Sequence, residues 1–151
     1  MTDETSEFRS ALLTPPQVLE YWPTLEPHIV KALAVGVGEM TPFDICSQAM
    51  NGLMQVWVTL DSQNNLGCVT VTRTLQYPSS KHLQIVCLTA VHHSVSQMAD
   101  QFHTLETYAK QNGCQSLQVW GRKGWQRKLR AFRSIEGHPF KTRYYVLDQE
   151  L

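Results

Sequence analysis

The sequence predicts an α+β fold in which a mixed central sheet is flanked by helices. Three consecutive runs rich in β-branched residues are joined by short polar connections, a pattern that predicts an antiparallel meander. An amphipathic helix and one further apolar run follow them. The last strand of the meander, this helix and the next strand therefore form a β-α-β unit, whose two strands must be parallel.

Length and composition indicate an ordinary globular domain. The chain has 151 residues, of which 42% are hydrophobic and 17% charged, so we expect one domain over residues 1–151 with a short acidic tail at about 1–7. Without an apolar run of membrane-spanning length or a signal-like N-terminus, we expect a cytoplasmic protein that does not enter membranes. The four cysteines are widely spaced, which favours buried free thiols over disulfides or a metal site.

The N-terminal part predicts a short strand at 8–13 followed by helix. Thr14 supplies an N-cap, and the prolines after it fit the first turn. Since proline interrupts a helix interior, Pro23 and Pro27 predict two short pieces, at 15–22 and 24–35.

The middle of the chain predicts a second helix and then the meander. Thr41-Pro42 begins the helix by the same capping logic, and Asn51-Gly52 ends it. The three predicted strands are Leu53–Leu60, Gly67–Gln76 and His82–Ala90.

A long helix after the meander is the clearest of the predicted helices. Ser94 or Ser96 can cap it, apolar residues recur at helical spacing, and Asn112-Gly113 ends it. The strand Ser116–Trp120 comes next. The glycines of Gly121-Arg122-Lys123-Gly124 then allow a tight turn into a helix around 125–132, and a last strand is predicted near Lys141–Leu147.

Charge is distributed unevenly although the formal net charge is zero. Acidic residues dominate 1–61, whereas 122–143 is strongly basic. This basic segment predicts contact with phosphate, with nucleic acid or with an acidic protein surface, and the alternative is a solvated helix face. The residues predicted to contact a partner are Trp125, Arg127, Lys128, Arg130 and Arg133. We rank nucleic acid behind protein partners because no nucleic-acid-binding motif accompanies these residues.

This order of elements resembles the GNAT acyltransferase superfamily over nearly the whole chain. Three segments, Met54–Val58, Ala109–Cys114 and Gly121–Trp125, are most similar to a group of small bacteriophage acetyltransferase-like proteins. The resemblance implies an acyl-CoA cofactor, for example acetyl-CoA, lying where the fourth and fifth strands splay apart, and an amine as acyl acceptor.

The resemblance also implies where the cofactor would bind. Active members carry a glycine-rich motif between the fourth strand and the long helix, whereas residues 91–96 contain no glycine. If CoA binds, we expect a non-standard pyrophosphate site formed by the start of the long helix and the glycine turn. Its residues are Val91, Ser94, Val95, Ser96, Gly121, Arg122, Lys123 and Gly124. Nor does the chain have the family's usual acid in 82–90 or a tyrosine in 125–132.

His92 and His93 are the candidate catalytic residues, because a histidine in this loop can serve as general base. The alternative is that both are ordinary polar loop residues. Two functions therefore stay open. The first is a non-catalytic bacteriophage protein of the host cytoplasm or the virion, which contacts other phage proteins or itself. The second is an active acyl-CoA-dependent N-acyltransferase.

Overall fold

The computed structural model describes residues 8–34, 39–90, 95–120, 124–143 and 146–151. It divides into two compact units, Met1–Trp120 and Gly121–Leu151. The first contains a five-stranded sheet in which each strand pairs with the next along the chain. The strands are β1 (Arg9–Leu12), β2 (Gln55–Leu60), β3 (Leu66–Gln76), β4 (Lys81–Ala90) and β5 (Ser116–Val119). Strands β1 to β4 are antiparallel, and β4 and β5 are parallel, so the predicted mixed sheet is confirmed.

Helix α1 (Pro15–Leu33) is continuous, so the predicted division into two pieces is wrong. Thr14 accepts a hydrogen bond from the backbone of Gln17 while the Gln17 side chain bonds back to Thr14, which stabilises the first turn. One face of the helix buries Val18, Leu25 and Ile29 against the sheet. This burial outweighs the local cost of the two internal prolines, which the sequence pattern alone does not include.

Helix α2 (Pro42–Met50) begins and ends where the sequence predicts. Thr41 and Asp44 form the same reciprocal cap, with the Asp44 N–H donating to the threonine hydroxyl at 3.2 Å. Gly52 then adopts a φ of 74°, a left-handed conformation that glycine reaches without strain. The second helix is therefore fixed by local signals at both ends.

Helix α3 (Val95–Gln111) links β4 to β5 and confirms the predicted β-α-β unit. Gly113 has a φ of 75° immediately after the helix, which fits the predicted Asn-Gly stop. Ser96 lies inside the helix and is therefore not its cap, whereas Ser94 lies outside the described residues.

The two faces of the sheet differ in chemistry. One face packs on α1 and α2 and is apolar; its strand residues are Val56, Val58, Val69, Val71 and Cys87. The other face, toward α3, buries Trp57 and the polar residues Thr59, Thr70 and Thr72. Trp57 donates to the hydroxyl of Thr72 at 2.9 Å, so this polar layer is hydrogen-bonded internally.

The second unit contains the short helix α4 (Gly124–Lys128), which a 3-10 turn at Leu129–Ala131 extends. An antiparallel bridge then joins Arg133 to Pro139. The predicted last strand is wrong for its described part, because 141–143 and 146–147 are not extended in any sheet. Val146 and Leu147 are 74% and 94% exposed, and an apolar run without a strand partner to bury it gains little from β structure.

Candidate cleft beside strand β4

Strands β4 and β5 pair over only four positions, from His82–Ser116 to Ile85–Val119. Strand β5 ends there, whereas β4 continues to Ala90. Within the described residues, the edge of β4 over 86–90 therefore has no partner strand on the β5 side. Backbone N–H and C=O groups on such an edge are strong hydrogen-bonding sites, so we take this edge of β4 as the candidate binding cleft.

A β-bulge lies at the entrance of this cleft. Val71 of β3 pairs with Cys87 and the next residue, Thr72, pairs with Ile85, which leaves Val86 as an extra residue on β4. A bulge bends its strand and increases the local twist. It therefore turns β4 away from a regular parallel partner where β5 stops, and Val86 packs against the core beneath α1.

Beyond the bulge, β4 is anchored to α1. The hydroxyl of Thr89 donates to the backbone carbonyl oxygen of His28 at 3.0 Å. This bond fixes the last turns of α1 over the unpaired part of β4, and the His28 side chain is half-buried there. Sequence reasoning missed His28, because nothing in its local sequence places it beside a strand more than sixty residues away.

A row of polar side chains crosses the sheet just before the cleft. Arg73 on β3 faces Gln84 on β4, and Gln84 faces Gln118 on β5. The Nε of Arg73 donates to Oε1 of Gln84 at 2.6 Å, and Trp120 donates from Nε1 to Oε1 of Gln118 at 3.0 Å. Because side chains alternate along β3, Arg73 lies on the same face as Val71, which is the α1 face.

The cysteine nearest the cleft is not a nucleophile. Burial raises the pKa of the Cys87 thiol to about 12, so it stays protonated at neutral pH. Burial likewise raises the pKa of Cys68 to about 11 and, to a smaller extent, those of Cys46 and Cys114. All four are free thiols, but the predicted burial holds only for Cys68 and Cys87, since Cys46 and Cys114 are half-buried.

A separate cavity of about 350 Å³ lies on the α3 side. It is lined by Leu12, Trp57, Thr104, Thr107, Tyr108 and Gln111. The rings of Trp57 and Tyr108 meet edge to face with centroids 5.1 Å apart and form its floor. No charged side chain lines it, and it opens on the face of the sheet opposite to the Arg73 row.

Both predicted catalytic residues and five of the eight predicted cofactor-binding residues lie in segments that the structure does not describe. Val91, His92, His93, Ser94, Gly121, Arg122 and Lys123 lie outside the described residues, so their assignment stays a prediction. Val95 and Ser96 form the first turn of α3, where free backbone N–H groups favour an anion, and Gly124 begins α4.

The predicted interaction residues lie in the second unit. Trp125 belongs to α4, and Arg127, Lys128, Arg130 and Arg133 are exposed. Arg133 donates to the carbonyl oxygens of Arg130 and Phe132, at 2.8 and 3.0 Å, and thereby closes its own turn. Their role in binding a partner stays a prediction.

The described residues contain neither a metal-binding cluster nor a membrane-spanning helix. There, no group of three or more His, Cys, Asp or Glu side chains is placed to hold a metal ion. No helix in the same part of the chain is both long and apolar enough to cross a membrane.

Comparison with solved structures shows the class of fold. An aminoglycoside acetyltransferase, meta-AAC0020 from an uncultured soil metagenomic sample, solved in complex with sisomicin, superposes with a TM-score of 0.66 at 13% identity, covering 95% of this chain and 98% of the other. The ribosomal-protein-alanine N-acetyltransferase of Brucella melitensis biovar Abortus 2308 gives 0.60 at 14% identity, with 91% and 99% covered. A possible acetyltransferase from Clostridium difficile 630 gives 0.63 at 7% identity, with 96% and 98% covered.

These likenesses show that the chain has the GNAT acetyltransferase fold over almost its whole length. At such low identities they show the fold alone. No protein-family model matches the sequence, and comparison with curated proteins also gives no match.

Proposed function

We propose that this protein is an acyl-CoA-dependent N-acyltransferase that uses the cleft beside β4. The observation that carries the proposal is the coincidence of the Val86 bulge with the end of β4–β5 pairing at Ile85–Val119. Together they open the sheet on one edge of β4 only. The acetyltransferases that share this fold, acting on an aminoglycoside and on ribosomal-protein alanine, support the reaction class.

The residues of the cleft fit the cofactor in two respects. The unpaired backbone of 86–90 can hydrogen-bond the amide groups of an extended pantetheine arm, as a neighbouring strand would. The first turn of α3 provides backbone N–H groups and the positive end of a 17-residue helix for the pyrophosphate. When bound, acyl-CoA supplies an activated acyl group for attack by an amine.

The chain must then supply a proton acceptor for the attacking amine. Strand β4 contains no Asp or Glu, so a histidine is the best available group. The Thr89 hydroxyl holds the backbone carbonyl of His28 over the 86–90 part of β4, and the His28 side chain is half-buried. An imidazole nitrogen can accept the proton of an attacking amine. We assign the role of general base to His28, with His92 and His93 as the alternatives from the sequence.

The first experiment is isothermal titration of the protein with acetyl-CoA and with free CoA. Moderate salt keeps the basic 122–143 segment from binding through charge alone. Val86→Pro removes the backbone N–H of the bulged residue, and Val86→Ala keeps it. We expect micromolar binding that Val86→Pro weakens about tenfold, for one lost hydrogen bond, and that Val86→Ala preserves.

A His28→Gln variant then separates binding from chemistry. We expect unchanged acetyl-CoA affinity and a loss of acyl transfer of about 100-fold, as for loss of a general base. His92→Gln and His93→Gln are the matched controls. If either control variant loses more acyl-transfer activity than His28→Gln does, the general base is in the 91–94 loop and His28 is not that base.

A second candidate function is a non-catalytic role in contacts between phage proteins. It is favoured by a sequence observation, the absence of glycine in 91–96, because side chains there crowd a close backbone approach to pyrophosphate. The basic 122–143 and acidic 2–7 segments would then be the interacting surfaces. Absence of any heat with acetyl-CoA, together with self-association or capture of a phage structural protein, selects this function over the first.

A further inference from the structure

We infer that the acceptor amine carries a carboxylate close to its amino group, and that Arg73 binds this carboxylate. The inference rests on the proposed function, since it names the acceptor of the same site. It begins from a half-buried cation on the sheet face for which the described residues provide no anion.

Arg73 uses little of its hydrogen-bonding capacity. A guanidinium has five N–H donors, and toward the described residues the side chain of Arg73 makes one hydrogen bond, from Nε to Oε1 of Gln84. Among the described residues no carboxylate lies within ion-pair distance of it. A half-buried guanidinium is costly to leave without a partner, and it favours a planar, bidentate carboxylate or phosphate oxygen pair.

The surroundings of Arg73 hold it in place for such a ligand. Gln84 is only 4% exposed and sits between Arg73 and Gln118 across three neighbouring strands. The bond at Nε fixes the plane of the guanidinium and leaves the two terminal nitrogens for a ligand. Trp120, 42% exposed and bonded to Gln118, closes the row at the β5 end with an apolar surface.

The register sets the distance between the carboxylate and the reacting amine. The Arg73–Gln84 pair is followed immediately by the Thr72–Ile85 pair, and then by the bulge at Val86. Neighbouring positions along a strand are about 3.3 Å apart, so the cleft begins within two residues of Gln84. Arg73 also lies one strand, about 4.8 Å, across from β4, so we expect the carboxylate and the amine of the acceptor to be only a few bonds apart, as in an α- or β-amino acid.

The same charge argues against polycationic acceptors. Aminoglycosides, the acceptors of one protein with this fold, carry several amino groups, and a like charge at the binding surface disfavours them. Arg73 thus distinguishes amines that bear a carboxylate from those that do not.

The test compares amino acids with their amides as acceptors, for example leucine with leucinamide, by the release of free CoA thiol. We expect a KM for leucine at least tenfold below that for leucinamide. Arg73→Gln should raise the KM for leucine about 10- to 100-fold, as loss of a charged hydrogen bond does, and leave that for leucinamide within twofold. Arg73→Lys should rescue part of the loss, and Arg9→Gln, at an exposed arginine of β1, is the matched control.

A measurement of product binding tests the role of Arg73 without requiring acyl transfer. With CoA present, N-acetylleucine should stabilise the wild-type protein against heat more than N-acetylleucinamide does, and this difference should vanish in Arg73→Gln. Failure of acetyl-CoA to bind the wild-type protein overturns the proposed function. Three other outcomes overturn the inference about Arg73 alone, provided that acetyl-CoA binds. They are equal KM values for leucine and leucinamide, a preference for an aminoglycoside as acceptor, and the absence of both acyl transfer and product binding.

Discussion

The hydroxyl of Thr70 donates a 2.7 Å hydrogen bond to Oε1 of Gln101 and thereby joins strand β3 to helix α3. Both residues have 0% exposure, and in the described part of the chain the Nε2 of Gln101 has no hydrogen-bond partner. The amide is therefore satisfied on one side only. The hydrogen bond between Thr70 and Gln101 therefore leads to a specific prediction for the free energy of unfolding.

We expect Thr70→Val to lower the free energy of unfolding by about 1 to 3 kcal/mol, because it leaves the Gln101 amide wholly unsatisfied. The double variant Thr70→Val/Gln101→Met removes both polar partners and should regain most of that loss. Urea denaturation followed by tryptophan fluorescence measures both. Thr74→Val, on the same strand and half-buried, is the control and should change stability by less than about 0.5 kcal/mol.

The bond between Thr89 and His28 predicts a coupling between α1 and the cleft. Thr89→Val should cost about 0.5 to 1.5 kcal/mol of stability, since one buried hydrogen bond is lost. It should also lower acyl transfer, because the turn that carries His28 is no longer tied to β4. Thr89→Ser keeps the hydroxyl and should behave as wild type in both assays. Equal effects of the valine and serine variants contradict this coupling.

The prolines inside α1 predict that the native helix is stabilised by their removal. Pro23→Ala and Pro27→Ala each restore a backbone N–H and remove a clash with the carbonyl four residues earlier, so each should raise the free energy of unfolding by about 1 to 3 kcal/mol. Thermal unfolding followed by circular dichroism checks this. Pro16→Ala is the matched control, because proline in the first turn costs the helix nothing. A loss of stability in the Pro23 and Pro27 variants would contradict this prediction.

The two buried thiols, Cys68 and Cys87, predict that folding stability decreases at alkaline pH. Burial raises the pKa of Cys68 to about 11 and of Cys87 to about 12, from an ordinary value of 9.0. Between pH 9 and 12 the unfolded chain therefore binds fewer protons than the folded one, and stability falls as pH rises. Below pH 9 both thiols are protonated in the folded and the unfolded chain, so their contribution to the free energy of unfolding is fully present.

Denaturation at pH 8, 9.5 and 10.5 measures this slope. Cys87→Ala should make the fall with pH shallower, because one of the two groups no longer titrates. Iodoacetamide labelling at pH 8 gives an independent check by mass spectrometry. The half-buried Cys46 and Cys114 should be alkylated well before Cys68 and Cys87. An unchanged slope in Cys87→Ala, or early labelling of Cys87, is inconsistent with the raised values.

Elements with strong local signals could be predicted from the sequence. Helix α2 begins at Thr41-Pro42 and ends at Asn51-Gly52 because capping and left-handed glycine are properties of a few consecutive residues. The meander and the parallel β4–β5 pair follow from alternation and from the long helix between those strands. The continuity of α1 could not be predicted, since it depends on burial against the sheet.

Most of the candidate site, in contrast, could not be predicted from the sequence. The sequence pointed to the loop 91–96 and to the glycine turn at 121–124, where motifs are visible in consecutive residues. His28, Arg73 and Gln84 belong to no motif, because their relation to the cleft depends on strand register and on one bond from Thr89. Residues far apart in the chain acquire a common role only when pairing brings them onto one face.

The sequence by itself determined the kinds of element, their order and the mixed sheet that they form, because periodicity, caps and turn residues act over a few neighbouring positions. The tertiary structure alone decided where that sheet opens. The Val86 bulge and the early end of β5 are properties of register between strands, and register is set by the packing of both faces of the sheet. That packing also placed Arg73 beside the cleft, where its Nε donates to Gln84.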